Sequence, residues 1–162
     1  MDITTDQIKA LRDETNVSVM KCKQALEESL GDMDKARAIL KEQSALAASK
    51  KSDRELGAGT VASYIHAAGS VGTLVEIMCE TDFVSKNDEF LKMANDVAMH
   101  IAAMAPTAIK SEGAPEGTEP EAILLDQTFV KNPDLTVKGV LDQATQKFGE
   151  RVEITRFERF AI

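Results

Sequence analysis

The hydrophobic period of this chain changes near residue 80, and few folds accommodate the change. From Thr60 to Cys79 apolar and polar residues broadly alternate, as they do on a strand with one buried face. In the second part of that run Val71, Thr73, Val75, Ile77 and Cys79 fall on one face. Leu74 and Met78 fall on the other, beside Glu76 and Glu80. From Asn87 the spacing becomes three and four: Phe90, Met93, Ala94, Val97, Ala98, Ile101 and Ala105 form one helical stripe, which Pro106 stops. "AGS" between the two strand patterns has the chemistry of a hairpin turn. A hairpin followed at once by a long amphipathic helix calls for a sheet covered by helices on one side.

The rest of the chain fits that frame. Residues 4–42 read as three short helices. Thr4 and Gln7 have capping-box spacing, Ser18 can cap the second helix and Asp32 the third. Ile8 and Leu11, then Cys22, Ala25, Leu26 and Leu30, then Ala36, Ile39 and Leu40 supply the apolar faces. The segment to Arg54 reads as a helical extension, with a turn at Gly57 and Gly59. Residues 107–122 hold two of the four prolines and two of the nine glycines, the composition of a flexible loop. "LLDQTFVKNPDL" reads as short and irregular. "TVKGVLDQATQKFG" is a helix presenting Val137, Val140, Leu141, Ala144 and Phe148, capped by Gly149. "RVEITRFERF" is a last strand whose alternation slips between Ile154 and Phe157, as at a bulge or an edge. The expected fold is α+β: a three-helix bundle at 1–45, a helical linker at 46–58 and, at 59–162, a three-stranded antiparallel sheet packed with helices.

Composition narrows the function classes. Aromatics are 4% of 162 residues, without tryptophan, so the core must be aliphatic. A formal net charge of −8 disfavours nucleic-acid binding as the main role. The sequence has no apolar run of about 18 residues, hence no expected membrane span. "MDITTDQIKALRDE" lacks the basic start and apolar stretch of a signal peptide, which points to the cytoplasm. Cys22 and Cys79 are expected as reduced, mostly buried thiols.

The chemical motifs are weak. "GAGTVA" matches a dinucleotide fingerprint, but the helix precedes it and the strand follows, the reverse of what a phosphate cradle needs. Two His and two Cys without paired spacing make no zinc site, and no metal or cofactor is expected. His66 and His100 read as surface or partly buried structural residues. Acids beside Cys79 oppose a reactive thiolate. With no catalytic set assembled, an enzyme is not expected.

Two stretches invite a protein partner. In "LRDETNVSVMKCK", Val17, Val19 and Met20 stand at a helix start, either exposed or capping the bundle. In "CETDFVSKNDEF", Phe83 lies in a polar turn, either folded back on the sheet as a lid or projecting as an anchor beside Asp82.

At these stretches the sequence resembles the elongation factor Ts family. The matching strings are "LRDETNVSVMKCKQALEESLGDMDKA", "VGTLVEIMCETDFVSKNDEF", "VAMHIAAMAP", "QTFVKN" and "FGERVEITRFERF". The resemblance implies guanine-nucleotide exchange on elongation factor Tu, with an N-terminal bundle similar to the ubiquitin-associated fold. It implies that Thr81, Asp82, Phe83 and Val84 intrude near the magnesium site of Tu. It also implies a second contact through Arg12, Val19, Met20 and Lys23. The chain carries one copy of a core unit that longer members hold twice, so a homodimer is expected, with Phe157 and Phe160 of the last strand at its interface. The alternative is a non-enzymatic adaptor that binds through the bundle alone.

Overall fold

A computed structural model describes residues 3–162. Three helices come first: α1 (Thr5–Thr15), α2 (Val19–Glu28) and α3 (Met33–Lys50). Each start is capped as the sequence predicts. Thr4 and Gln7 bond reciprocally, the Ser18 hydroxyl accepts from the Lys21 N–H, and Asp32 accepts from the N–H groups of Asp34 and Lys35. These bonds satisfy amides that a helix start leaves without partners. Leu11, Val17, Cys22, Ala25, Leu26, Ala36 and Leu40 form a small core of their own. Leu30 departs from the expected stripe. It takes a left-handed backbone conformation after α2 and is 81% exposed.

The helical extension expected to Arg54 is a continuation of the third helix, which runs without a break to Lys50 and stops short of Arg54; its alanine-rich half has no glycine or proline to end it sooner. Ser44 is buried on this extension. Its single O–H is shared between the Leu40 carbonyl, at 2.8 Å, and the side-chain oxygen of Gln146. Gln146 belongs to α6 (Val137–Phe148), so the bundle leans on the second half of the chain through α3.

A hairpin follows, β1 (Ala58–His66) against β2 (Val71–Cys79), antiparallel in unbroken register from Ala58 opposite Cys79 to His66 opposite Val71. Gly59 lies inside β1, not in a turn. A Cβ there would come within 2.7 Å of the Ile77 carbonyl oxygen, so the close approach of the strands requires glycine. The strand β5 (Glu153–Ala161) pairs with the other edge of β2, giving the order β1-β2-β5. Its register shifts by one residue opposite Glu76 and Ile77, the expected bulge. The shift returns Phe157 to the covered face, where it packs against the core, and leaves Phe160 on the open face at 71% exposure.

The long helix α5 (Asp88–Met104) covers the sheet. Phe90, Ala94, Val97, Ala98 and Ile101 are fully buried against Val75, Ile77 and Cys79. Burying a side chain the size of Phe90, Val97 or Ile101 contributes about 1.5–3 kcal/mol. Phe90 meets Phe148 of α6 edge to face, ring centres 5.8 Å apart. The Thr73 hydroxyl donates to the Ala98 carbonyl at 2.8 Å, a polar tie between sheet and helix.

Two further differences concern α5 and the segment that follows it. "QTFVKNPDL" forms a small second sheet, β3 (Thr128–Phe129) with β4 (Asn132–Thr136), where the sequence reads as irregular. His100, expected as a surface or partly buried structural residue, is structural but completely buried. Its ring stacks on Phe129 and shares a 2.9 Å hydrogen bond with the Gln127 side-chain oxygen. The Val130 N–H donates to its Nδ1 at 3.2 Å. The 107–122 loop is made of turns, and its base is closed by a parallel bridge between Ala108 and Ile123.

Candidate functional site

At the end of β2 the chain turns into one helical turn, α4 (Asp82–Ser85), and then into α5. This turn carries the four residues singled out by sequence. Phe83 is 87% exposed, which removes the lid reading and leaves the projecting one. Val84 faces the opposite way and packs against the core, and Ser85 is buried with its hydroxyl donating to the Asp82 carbonyl. Asp82 is exposed and pairs with Lys86 at 3.0 Å. That hydrogen bond and the lysine's charge hold the Asp82 carboxyl below its ordinary pKa, so it is an anion at neutral pH.

The turn is fastened from behind by residues that no sequence pattern marks. Thr81 stands at the start of α4 but does not cap it. Its N–H and its hydroxyl instead donate to one oxygen of Glu150, at 3.3 and 2.9 Å. The bond is returned one residue along on each side. The N–H of Arg151 donates to Glu80 at 2.7 Å. Arg54 also reaches Glu80 at 3.4 Å, and Arg151 donates back to the Arg54 carbonyl at 2.7 Å. Beneath, the Cys79 thiol donates to the Thr81 carbonyl at 3.2 Å. Burial, and then the nearby charge of Glu150, push this thiol's pKa up, so it is a protonated donor and not a nucleophile. The sequence reading assigned that effect to the adjacent acids. Burial is the larger cause, and the charge of Glu150 weighs more than that of the adjacent Glu80. Glu150 follows the left-handed Gly149 cap of α6, a position without periodic signal in the sequence.

The second group of candidate residues is split. Val19, Met20 and Lys23 stand on the first turns of α2, with Val19 54% and Met20 71% exposed. Lys23 pairs loosely with Glu27 at 3.7 Å. Val17 is buried in the bundle, so the apolar run divides into one core residue and two surface residues. Arg12 lies on α1, in a small cleft of about 170 Å³ with Gln146 and Lys147 of α6. Among the described residues, no hydrogen bond or ion pair joins this group to the turn at Thr81–Val84.

Two clefts of about 390 and 460 Å³ lie where the bundle meets the second half of the chain, and none of Thr81–Val84, Val19, Met20 and Lys23 lines either of them. Their charges are largely paired within the wall: Lys131 with Asp96 at 2.6 Å, Lys147 with Glu89, and Arg37 with Glu14 at 2.7 Å. The described residues hold no cluster of His, Cys, Asp and Glu that could bind a metal ion, and no helix long and apolar enough to cross a membrane.

A helical bundle, a helix-backed three-stranded sheet and an exposed aromatic on a projecting turn define an α+β protein. Comparison with known proteins narrows the class. The family described as "Elongation factor TS" matches residues 2–119. The elongation factor Ts of Desulfotalea psychrophila is 40% identical over 195 aligned positions, spanning 100% of this chain and 99% of the relative. That of Carboxydothermus hydrogenoformans is 41% identical over 193 positions, 99% of this chain and 89% of the relative. That of Herpetosiphon aurantiacus is 35% identical over 195, spanning 100% and 98%. The chain belongs to the elongation factor Ts family of translation elongation factors.

Proposed function

We propose that the chain is a guanine-nucleotide exchange factor for elongation factor Tu and that the Thr81–Val84 turn is its working part. The observation that carries this reading is Phe83, an aromatic held 87% in solvent on a turn fastened at Thr81 and anchored by Val84. An exposed ring on a rigid mount suits insertion into a partner, because little conformational freedom is lost on binding. Phe83 enters between helices of the nucleotide-binding domain of Tu, with the Asp82 carboxylate at its side. The groups that hold Mg²⁺ and the diphosphate shift, and the phosphates lose their main counter-charge. By linkage, a factor that prefers nucleotide-free Tu weakens nucleotide binding by the same free energy. GTP then rebinds and expels the factor. No covalent bond changes, so the protein catalyses exchange without being an enzyme of covalent chemistry, and it needs no cofactor.

The bundle supplies the second contact. Met20 and Val19 offer apolar area on α2, and Lys23 and Arg12 offer charge. We assign residues 1–45 to this docking unit and 59–162 to the core that bears the turn, in keeping with their two separate hydrophobic clusters. The open face of the sheet carries Val61, Ile65, Leu74 and Phe160, all at least half exposed, and is the face through which two copies pair.

The exposure of Met20 and Val19 also favours the adaptor reading, in which the bundle alone does the binding. One experiment separates the two. Release of a fluorescent GDP from Tu is followed with the native chain and with Phe83→Ala. The exchange reading expects fast release that Phe83→Ala largely loses. Equal rates for both would discard the wedge, and no acceleration by either would leave the adaptor.

A further inference from the structure

Phe83 needs a restraint, because an exposed ring gains free energy by folding back onto apolar surface. One turn of helix cannot supply that restraint, since a nucleus this short is unstable alone. Val84 and Ser85 anchor the far end of the turn. The near end depends on Thr81, and every polar group of Thr81 is engaged. Its carbonyl accepts from the Ser85 N–H at 3.2 Å and from the Cys79 thiol at 3.2 Å. Its N–H and hydroxyl both go to Glu150. Glu150 is itself nine-tenths buried, and among the described residues no cation pairs with it. A carboxylate placed so costs desolvation free energy that needs recompense. Two bonds to one residue of the working turn are what it makes.

We propose that Glu150 is a positioning residue for nucleotide exchange: it holds Thr81 so that Phe83 is presented outward. This rests on the exchange reading above. The return bond from Arg151 to Glu80 makes the clasp reciprocal, so the α6–β5 junction and the end of β2 keep a fixed spacing. Glu150 does not face the partner. It acts through Thr81, and its loss is felt as a turn that no longer keeps Phe83 poised.

The test is GDP release from Tu over a range of factor concentrations, for the native chain, Glu150→Ala, Glu150→Gln, Thr81→Val and Phe83→Ala. Glu150→Ala is expected to lower the maximal release rate by about tenfold or more, while binding through α2 keeps the half-saturating concentration within about threefold. Glu150→Gln keeps an oxygen that can accept both bonds and is expected to stay within about threefold of native. A purely structural role would instead lower the melting temperature of both and leave the maximal rate of the folded protein unchanged. Thr81→Val removes only the hydroxyl arm. Combined with Glu150→Ala it should add nothing, since both act through one bond. Full additivity, or a native maximal rate for folded Glu150→Ala, overturns the proposal. If Glu150→Ala does not fold, a native rate for Thr81→Val overturns it. Loss in Phe83→Ala with none in the Glu150 variants defeats this inference alone. Absence of any effect from Phe83→Ala defeats the wedge, and this inference with it.

Discussion

Phe83 and Val84 are neighbours in the chain and opposites in environment: the first is 87% exposed, and the second packs against the core beneath it. A single helical turn achieves this by rotating about 100° per residue. The inward residue fixes the turn, and the outward one is left for a partner.

That division separates stability from activity. Phe83→Ala should change unfolding free energy by less than about 0.5 kcal/mol, as a surface substitution does, yet reduce GDP release from Tu by tenfold or more. Val84→Ala should cost about 1 kcal/mol of stability. Thermal melts set beside stopped-flow release would show the two effects on different residues. A loss of stability in Phe83→Ala comparable to that in Val84→Ala would contradict the assignment.

Met20 belongs to the grip and not to the wedge. Met20→Ala should weaken association with Tu by about 1 kcal/mol, near fivefold in the half-saturating concentration. At saturating factor the release rate should match native. A fall in that maximal rate would place Met20 in the displacement step.

The open face of the sheet should control assembly. Leu74 is half exposed at the centre of that face, in β2. Leu74→Lys puts a charge among Val61, Ile65 and Phe160 and should give a monomer by sedimentation, with an unchanged melting temperature when measured well below the dissociation constant. If the native chain sediments as a monomer at high concentration, the pairing of copies is wrong.

His100 should make stability depend on pH. Burial lowers its pKa below the ordinary 6.5 despite the opposing hydrogen bond to Gln127. Above about pH 6.5 the ring is neutral in both folded and unfolded chains, and its contribution is intact. As pH falls below that value the unfolded chain takes up a proton that the folded chain resists. Stability then declines by up to about 1.4 kcal/mol per pH unit until the folded pKa is reached. Urea titrations at pH 7.0, 6.0 and 5.5 should show the decline. His100→Leu should flatten it over this window while lowering stability throughout. The tautomer is set by geometry: Nδ1 accepts from Val130, so Nε2 carries the hydrogen that it donates to Gln127.

Much of this fold was legible in the sequence, for definite reasons. The caps at Thr4, Ser18 and Asp32 were readable because a polar residue before an apolar period has a local function. The hairpin and α5 were readable because periods of two and of 3.6 differ over long runs. Even the bulge in β5 showed as a slip in alternation. Short or non-local features were not legible. The β3–β4 pair spans too few residues to establish a period, and Pro133 argues against a strand. Gly59 looked like a turn residue because the sequence does not reveal the carbonyl that excludes a side chain. The burial of His100 depends on Gln127 and Phe129, over 25 residues away in the chain. The candidate site divides likewise. Its motif was plain, but whether Phe83 projects or folds back depends on tertiary contacts. Glu150, 69 positions from Thr81, had nothing local to mark it.

The closed base of the 107–122 loop bears on how this protein can change. The Thr107 N–H donates to the Ala122 carbonyl at 2.9 Å, and Leu124 to Ala108 at 2.8 Å, so the two stems stay together whatever joins them. Lengthening a loop with fixed ends costs only about 0.6 kcal/mol for each doubling. The bridge is therefore a mounting point, where an arm, a hairpin or an entire added module can be gained or lost over generations while the sheet and its projecting turn stay as they are.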